Sequence, residues 1–125
     1  SAPMSNADVF PSLCELAGVS TPMEVQGRSI LLVLRGQAAA GPAPVFCYHH
    51  NPRYHNLSVH DERYRFTWYT ALDQRELYDH AEDPHELRNL AGQPRVAAVE
   101  ERLYGRLLET AVRTSNPCSG RIGLW

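Results

Sequence analysis

The chain has 125 residues, 43% of them hydrophobic and 21% charged, with a formal charge of -2, values ordinary for one soluble globular domain long enough to bury a core. A near-neutral balance gives no electrostatic attraction to nucleic acid or anionic lipid, and no apolar run approaches the roughly 18 to 20 residues of a membrane span, so neither partner is expected. The three cysteines, Cys14, Cys47 and Cys118, form no Cys-x-x-Cys pair, which argues against a disulfide framework or a structural zinc site and makes two of them expected small core residues.

The opening Ser-Ala-Pro-Met reads as a tag remnant or a fragment boundary, so it is silent on where a longer parent would go. The first predicted element is an amphipathic helix. Val9, Phe10, Leu13, Leu16 and Ala17 recur at helical spacing, Asn6 or Asp8 can cap it, Pro11 is tolerated in its first turn, and Gly18 can end it. After a loop with Pro22 and Gly27, Ser29 is placed to cap a short helix, Ile30 to Arg35, closed by Gly36. From Gln37 to Pro44 the composition turns to alanine, glycine and proline, a connector.

Four strands are predicted next. Val45 to Tyr48 reads as buried, His55 to Val59 and Tyr64 to Tyr69 alternate as half-buried strands do, and Glu76-Leu77-Tyr78 would complete an antiparallel sheet. Asn51-Pro52 and Asp61-Glu62-Arg63 supply the turns between the first three. A long helix then runs from Pro94 to about Thr114, with Val96, Val99, Leu103, Leu107 and Ala111 on one stripe. The remainder, 115–125, reads as an irregular tail.

The most informative stretch lies between the last strand and the last helix, residues 76–92. Asp83 is placed as an N-cap, Pro84 as a first helical residue and Glu86 at the third position, a reciprocal capping arrangement worth about 1 kcal/mol per device. Leu87 and Leu90 would then face the core, and Gly92 would supply a positive backbone angle.

Glu76-Leu77-Tyr78-Asp79, followed by Asp83-Pro84-His85-Glu86 and Asn89-Leu90-Ala91, resembles a hallmark of the sulfatase family near its C-terminus. Asp8-Val9-Phe10-Pro11-Ser12-Leu13 with Leu16-Ala17-Gly18, then Gly27-Arg28-Ser29-Ile30-Leu31, is similar to the family's segment joining its catalytic domain to a small C-terminal sheet. Arg63 to Tyr69 looks closest to the branch containing iduronate-2-sulfatase. The resemblance covers about Asp8 to Thr114. It implies an alkaline-phosphatase-like parent enzyme with a calcium ion and a formylglycine nucleophile made from a cysteine in Cys-x-Pro-Ser-Arg. No cysteine of this chain has those neighbours, so no catalytic or metal residue is carried over, and no cofactor is expected within the chain.

His49, His50, His55 and His60 invite a metal reading, but adjacent residues on a strand point to opposite faces and no carboxylate stands at a recurring zinc spacing. The acidic run from Asp79 to Glu86 lacks the loop glycine and ligand alternation of an EF-hand. The expected substrate contacts are His49, His50 and Arg53, in a loop at the rim of the parent's pocket, where a guanidinium fork suits an anionic ligand.

The fold expected is α+β: a small four-stranded antiparallel sheet, the long C-terminal helix on one face, and N-terminal helices leading in. Residues 1–44 are the connector from a catalytic domain, 45–114 the sheet-and-helix subdomain and 115–125 the tail. The resemblance implies the C-terminal piece of a sulfatase, partnered by its catalytic domain and acting on a sulfated small molecule or sugar, with this piece alone inactive. Two alternatives stand beside it: the C-terminal part of a phosphonate or phosphate-ester hydrolase of the same superfamily, and a free-standing interaction module that self-associates through an exposed domain-contact face.

Overall fold

The computed structural model describes residues 4–23, 25, 27–37, 44–50 and 55–115. Two compact units divide it, Ser1–Val45 and Phe46–Trp125.

In the first unit a 3-10 turn, Asn6–Asp8, leads into α1, Val9–Ala17, and α2 covers Leu31–Leu34. Ser5 caps that turn: its side chain accepts from the Ala7 N–H, and its own N–H donates to the Asp8 carboxylate, while Asp8 stands at the N-cap position of α1 without a side-chain cap bond there. Gly18 ends α1 at φ +70°, as the spacing predicts. Asp8 does something else. Its buried carboxylate accepts from the Arg28 N–H at 3.0 Å. Its carbonyl accepts from the Ser12 hydroxyl at 2.6 Å, and that hydroxyl in turn accepts from the Ile30 N–H at 3.0 Å. These bonds pull residues 27–30 onto the start of α1, where a Cβ on Gly27 would lie 1.9 Å from the Ala7 carbonyl oxygen. Ser29 accepts from the Leu31 N–H, but Ile30 occupies the cap position and the helix is shorter than expected.

The inward face of α1 is therefore Pro11, Ser12 and Cys14. The predicted stripe is turned outward: Val9, Phe10, Leu13 and Leu16 are 52–60% exposed. The polar bonds of Asp8 and Ser12 fix the helix rotation.

The second unit is one sheet in the order β1-β2-β3-β4, with β1 Val45–His50, β2 His55–His60, β3 Tyr64–Tyr69 and β4 Gln74–Asp79. The pairings β2–β3 and β3–β4 are antiparallel, with His60 opposite Arg65, Val59 opposite Phe66, Arg65 opposite Tyr78 and Phe66 opposite Leu77. A 3-10 turn at Pro94–Val96 opens α3, Ala97–Ser115. Its stripe packs on one sheet face: Leu103 and Leu107 join Val59, Phe66 and Leu77 in a core from which solvent is all but excluded. Each such side chain contributes about 1.5–3 kcal/mol through burial. Tyr104 extends the contact edge-on to Trp68 at 5.4 Å, under the Arg75 guanidinium. The α+β expectation is met.

Cys14 is buried, Cys47 is exposed on β1, and Cys118 lies outside the described residues. Cys47 is thus not a core residue.

Candidate functional site

Residues 76–92 form no helix. Asp79, the end of β4, is buried, receives the Arg63 guanidinium in a two-pronged pair at 2.6–3.1 Å, and accepts from the Ala81 N–H. The Arg63 pairing holds its carboxyl below the ordinary carboxylate range. Asp83 accepts from the Arg88 N–H at 2.8 Å. Asn89 serves the free edge of β4 as a strand would: its Oδ1 accepts from the Leu77 N–H and its Nδ2 donates to the Arg75 carbonyl, both at 3.0 Å. The backbone continues this at Leu90, whose N–H donates to the Leu77 carbonyl. That bonding stops further strand pairing at the edge. Leu90 enters the core as expected, but Leu87 is 85% exposed, and Gly92 has φ +76°.

Glu86 departs most from the capping reading. Its φ is +55°, a left-handed angle closed to a helix and costing a non-glycine residue about 1–2 kcal/mol. Its carboxylate reaches back to the sheet, where one oxygen receives the Arg65 guanidinium and the other meets His80 Nε2 at 2.6 Å. A guanidinium on β3 and an imidazole just past the end of β4 together outweigh a reciprocal bond to a cap backbone.

These contacts lie on the sheet face opposite α3. Alternation places Asn56, Ser58 and His60 of β2, Arg65, Thr67 and Tyr69 of β3, and Glu76 and Tyr78 of β4 on that side. At its centre Ser58 and Thr67 share a hydrogen bond of 2.9 Å, and Thr67 is buried. Burial raises the Tyr69 and Tyr78 phenols, with Glu76 adding to it. At one end His60 Nε2 lies 3.0 Å from His80 Nδ1, with the rings edge to face. Arg65 lies over the Tyr78 ring at 5.3 Å. Among the described residues the Arg65 Nε is a buried polar atom without a hydrogen-bond partner. Burial, and then the neighbouring His80, lower the His60 pKa.

Of the residues expected to meet substrate, His49 is exposed on β1. Phe46 packs toward the core, so alternation turns His49 to the polar face, the side of His60. His50 ends β1. Arg53 lies outside the described residues. Tyr48 and His55 meet at 2.5 Å, and His55 Nδ1 bonds Thr70. The sequence reading missed the Arg65, His60, His80 and Glu86 cluster. The signal available was the turn at 61–63, whose register sets His60 opposite Arg65; nothing local announced that Glu86 would fold back.

No three His, Cys, Asp or Glu side chains among the described residues form a group able to hold a metal ion, and no cysteine has the required neighbours. Among the described residues no helix is long and apolar enough to cross a membrane.

Residues 2–113 match the family model described as N-sulphoglucosamine sulphohydrolase, C-terminal. A delta 4,5-hexuronate-2-O-sulfatase from Bacteroides thetaiotaomicron is 33% identical over 97 residues, 74% of this chain and 20% of that protein. A solved 2-O GAG sulfatase superposes with a TM-score of 0.73 at 30% identity, over 87% of this chain and 25% of its own. A phosphonate monoester hydrolase from Silicibacter pomeroyi gives a TM-score of 0.73 at 25% identity, over 90% and 26%. The chain thus spans about a fifth of the curated relative and about a quarter of the solved chains.

Proposed function

The chain belongs to the N-sulphoglucosamine sulphohydrolase C-terminal family, and from that premise we propose that it forms the C-terminal subdomain of a sulfatase acting on a sulfated sugar. The family match over residues 2–113 is the observation that carries the reading. The Bacteroides relative, by its name, acts on the 2-O-sulfate of a hexuronate, in keeping with the likeness to the iduronate-2-sulfatase branch, so a 2-O-sulfated uronide is the first substrate to try.

Cleavage of a sulfate ester needs an activated nucleophile, stabilisation of developing oxyanion charge and a proton for the leaving group, held together. In this reading the catalytic domain outside the chain supplies the formylglycine and the calcium, and the chain closes the fold. The outward stripe of Val9, Phe10, Leu13 and Leu16 supports it: that much apolar surface on one helix fits a cover by the rest of the polypeptide, since about four-fifths of the curated relative's length lies outside the match. His49, His50 and Arg53 then stand at the rim, where imidazole and guanidinium donors would hold the carboxylate or sulfate of the sugar without entering the chemical step.

The test compares the purified chain with the complete polypeptide encoded around it, on an aryl sulfate, a 2-O-sulfated uronide disaccharide and an aryl phosphonate. The chain alone should show no turnover, and the complete enzyme should prefer sulfate esters, with Arg53→Ala raising KM for the disaccharide about tenfold, the loss of one charged contact. Saturable sulfate cleavage by the chain alone, or a preference of the complete enzyme for phosphonate, would overturn the proposal.

A further inference from the structure

The cluster of His60, His80, Glu86 and Arg65 has no part in the function proposed above, and the inference drawn from it does not depend on that function. His80 sits between two partners. Its Nε2 meets the Glu86 carboxylate at 2.6 Å and its Nδ1 meets His60 Nε2 at 3.0 Å. If His80 is neutral with its proton on Nε2, Nδ1 accepts from His60 Nε2–H; if His80 is an imidazolium, Nδ1–H donates to a neutral His60. Both arrangements place one proton between the rings. When both rings are protonated, two N–H groups oppose each other across the same gap and two positive charges share it.

The groups around His60 set the balance. Asp61 and Glu86 favour its charged form, while Arg65 and His80 oppose it. Glu86 is already bound to Arg65, which leaves little negative charge to accept a second imidazolium. The segment so held is also strained, since Glu86 keeps a left-handed backbone while its side chain is clasped to the sheet.

We infer that His60, His80 and Glu86 form a pH-operated latch that holds the turn at 80–90 against the polar face of the sheet while the two imidazoles carry no more than one extra proton, and releases it when both are protonated. The sign follows from His60. Its folded pKa lies below its unfolded value, so the open state takes up more protons. The stabilisation is complete above about 6.5 and falls as pH drops from there through the lowered value.

Imidazole NMR of the purified chain from pH 8 to 4.5, with amide hydrogen exchange at residues 80–90, tests this. His60 should titrate below the ordinary imidazole value of about 6.5, and exchange at 80–90, divided by its intrinsic pH-dependent rate, should rise about tenfold as pH falls from there through the His60 midpoint. His60→Gln, which keeps a donor and cannot be protonated, should abolish that rise. A His60 midpoint at or above about 6.5, or normalised exchange unchanged across it in the unaltered chain, overturns the latch whether or not the variant folds. The same rise persisting in His60→Gln, or in His80→Gln should the first variant fail to fold, also overturns it.

Discussion

At Glu86 a side chain and its own backbone are in opposition. The left-handed angle is one that only glycine adopts freely, yet the residue is held there because its carboxylate joins Arg65 and His80. Removing the carboxylate while varying the backbone freedom separates the two effects. Glu86→Ala and Glu86→Gly both lose the clasp, but only alanine keeps the steric cost, so the alanine variant should be the less stable by about 1 kcal/mol in urea denaturation. Equal midpoints at equal slopes would mean that the angle relaxes once the clasp is gone. Asn89 shows a different economy, in which one amide group serves two backbone groups of β4 and fixes where the sheet ends.

Among the elements, α1 shows how polar groups decide the rotation of a helix. Its apolar periodicity is strong, but Asp8 and Ser12 each bond the backbone of residues 28–30, and these directional bonds turn Ser12 inward and the leucines outward. Gly27 permits the approach, since any Cβ there meets the Ala7 carbonyl. Gly27→Ala should therefore separate the two strands of chain, at a cost of roughly 1–3 kcal/mol typical of overpacking. Hydrogen exchange at the Arg28 and Ile30 amides should accelerate about tenfold or more, about 1.4 kcal/mol, while the amides of β3 and α3 are unchanged. Unaltered protection at Arg28 would show that the close approach is dispensable. α3 behaves more simply, because Leu103 and Leu107, with Val96 of the turn before it, fall on one side at helical spacing and meet an equally apolar sheet face.

Over the whole molecule the notable quantity is unburied apolar surface. Val9, Phe10, Leu13 and Leu16 are joined by Leu87 as large apolar side chains open to water, and surface of this kind drives association when its natural cover is missing. Light scattering on the purified chain should show concentration-dependent self-association in the micromolar range, and Leu13→Glu with Leu16→Glu should reduce it to a monomer with unchanged far-ultraviolet circular dichroism. A wild-type chain monomeric at all concentrations would remove both the sticky face and the argument that it awaits a larger neighbour.

The amino-acid sequence by itself determined the elements that rest on periodicity and on turn chemistry. The strand Tyr64–Tyr69 needs only the alternation of its side chains, the helix after Pro94 only its leucine stripe, and Gly18 and Gly92 only the need for a positive angle. The motifs at 76–91 were enough to indicate the sulfatase C-terminal family, because their residue types and spacing are specific even where their geometry was misread. Tertiary structure alone decided which partner each polar group took. Asp8, Asp83 and Glu86 were all plausible helix caps by position, and in the folded chain their carboxylates take different donors: the Ser5 and Arg28 amides, the Arg88 amide, and the pair Arg65 and His80. A cap depends on three or four residues of local chain, whereas a hydrogen bond across twenty residues depends on where the sheet puts its donors, and local spacing carries no record of that.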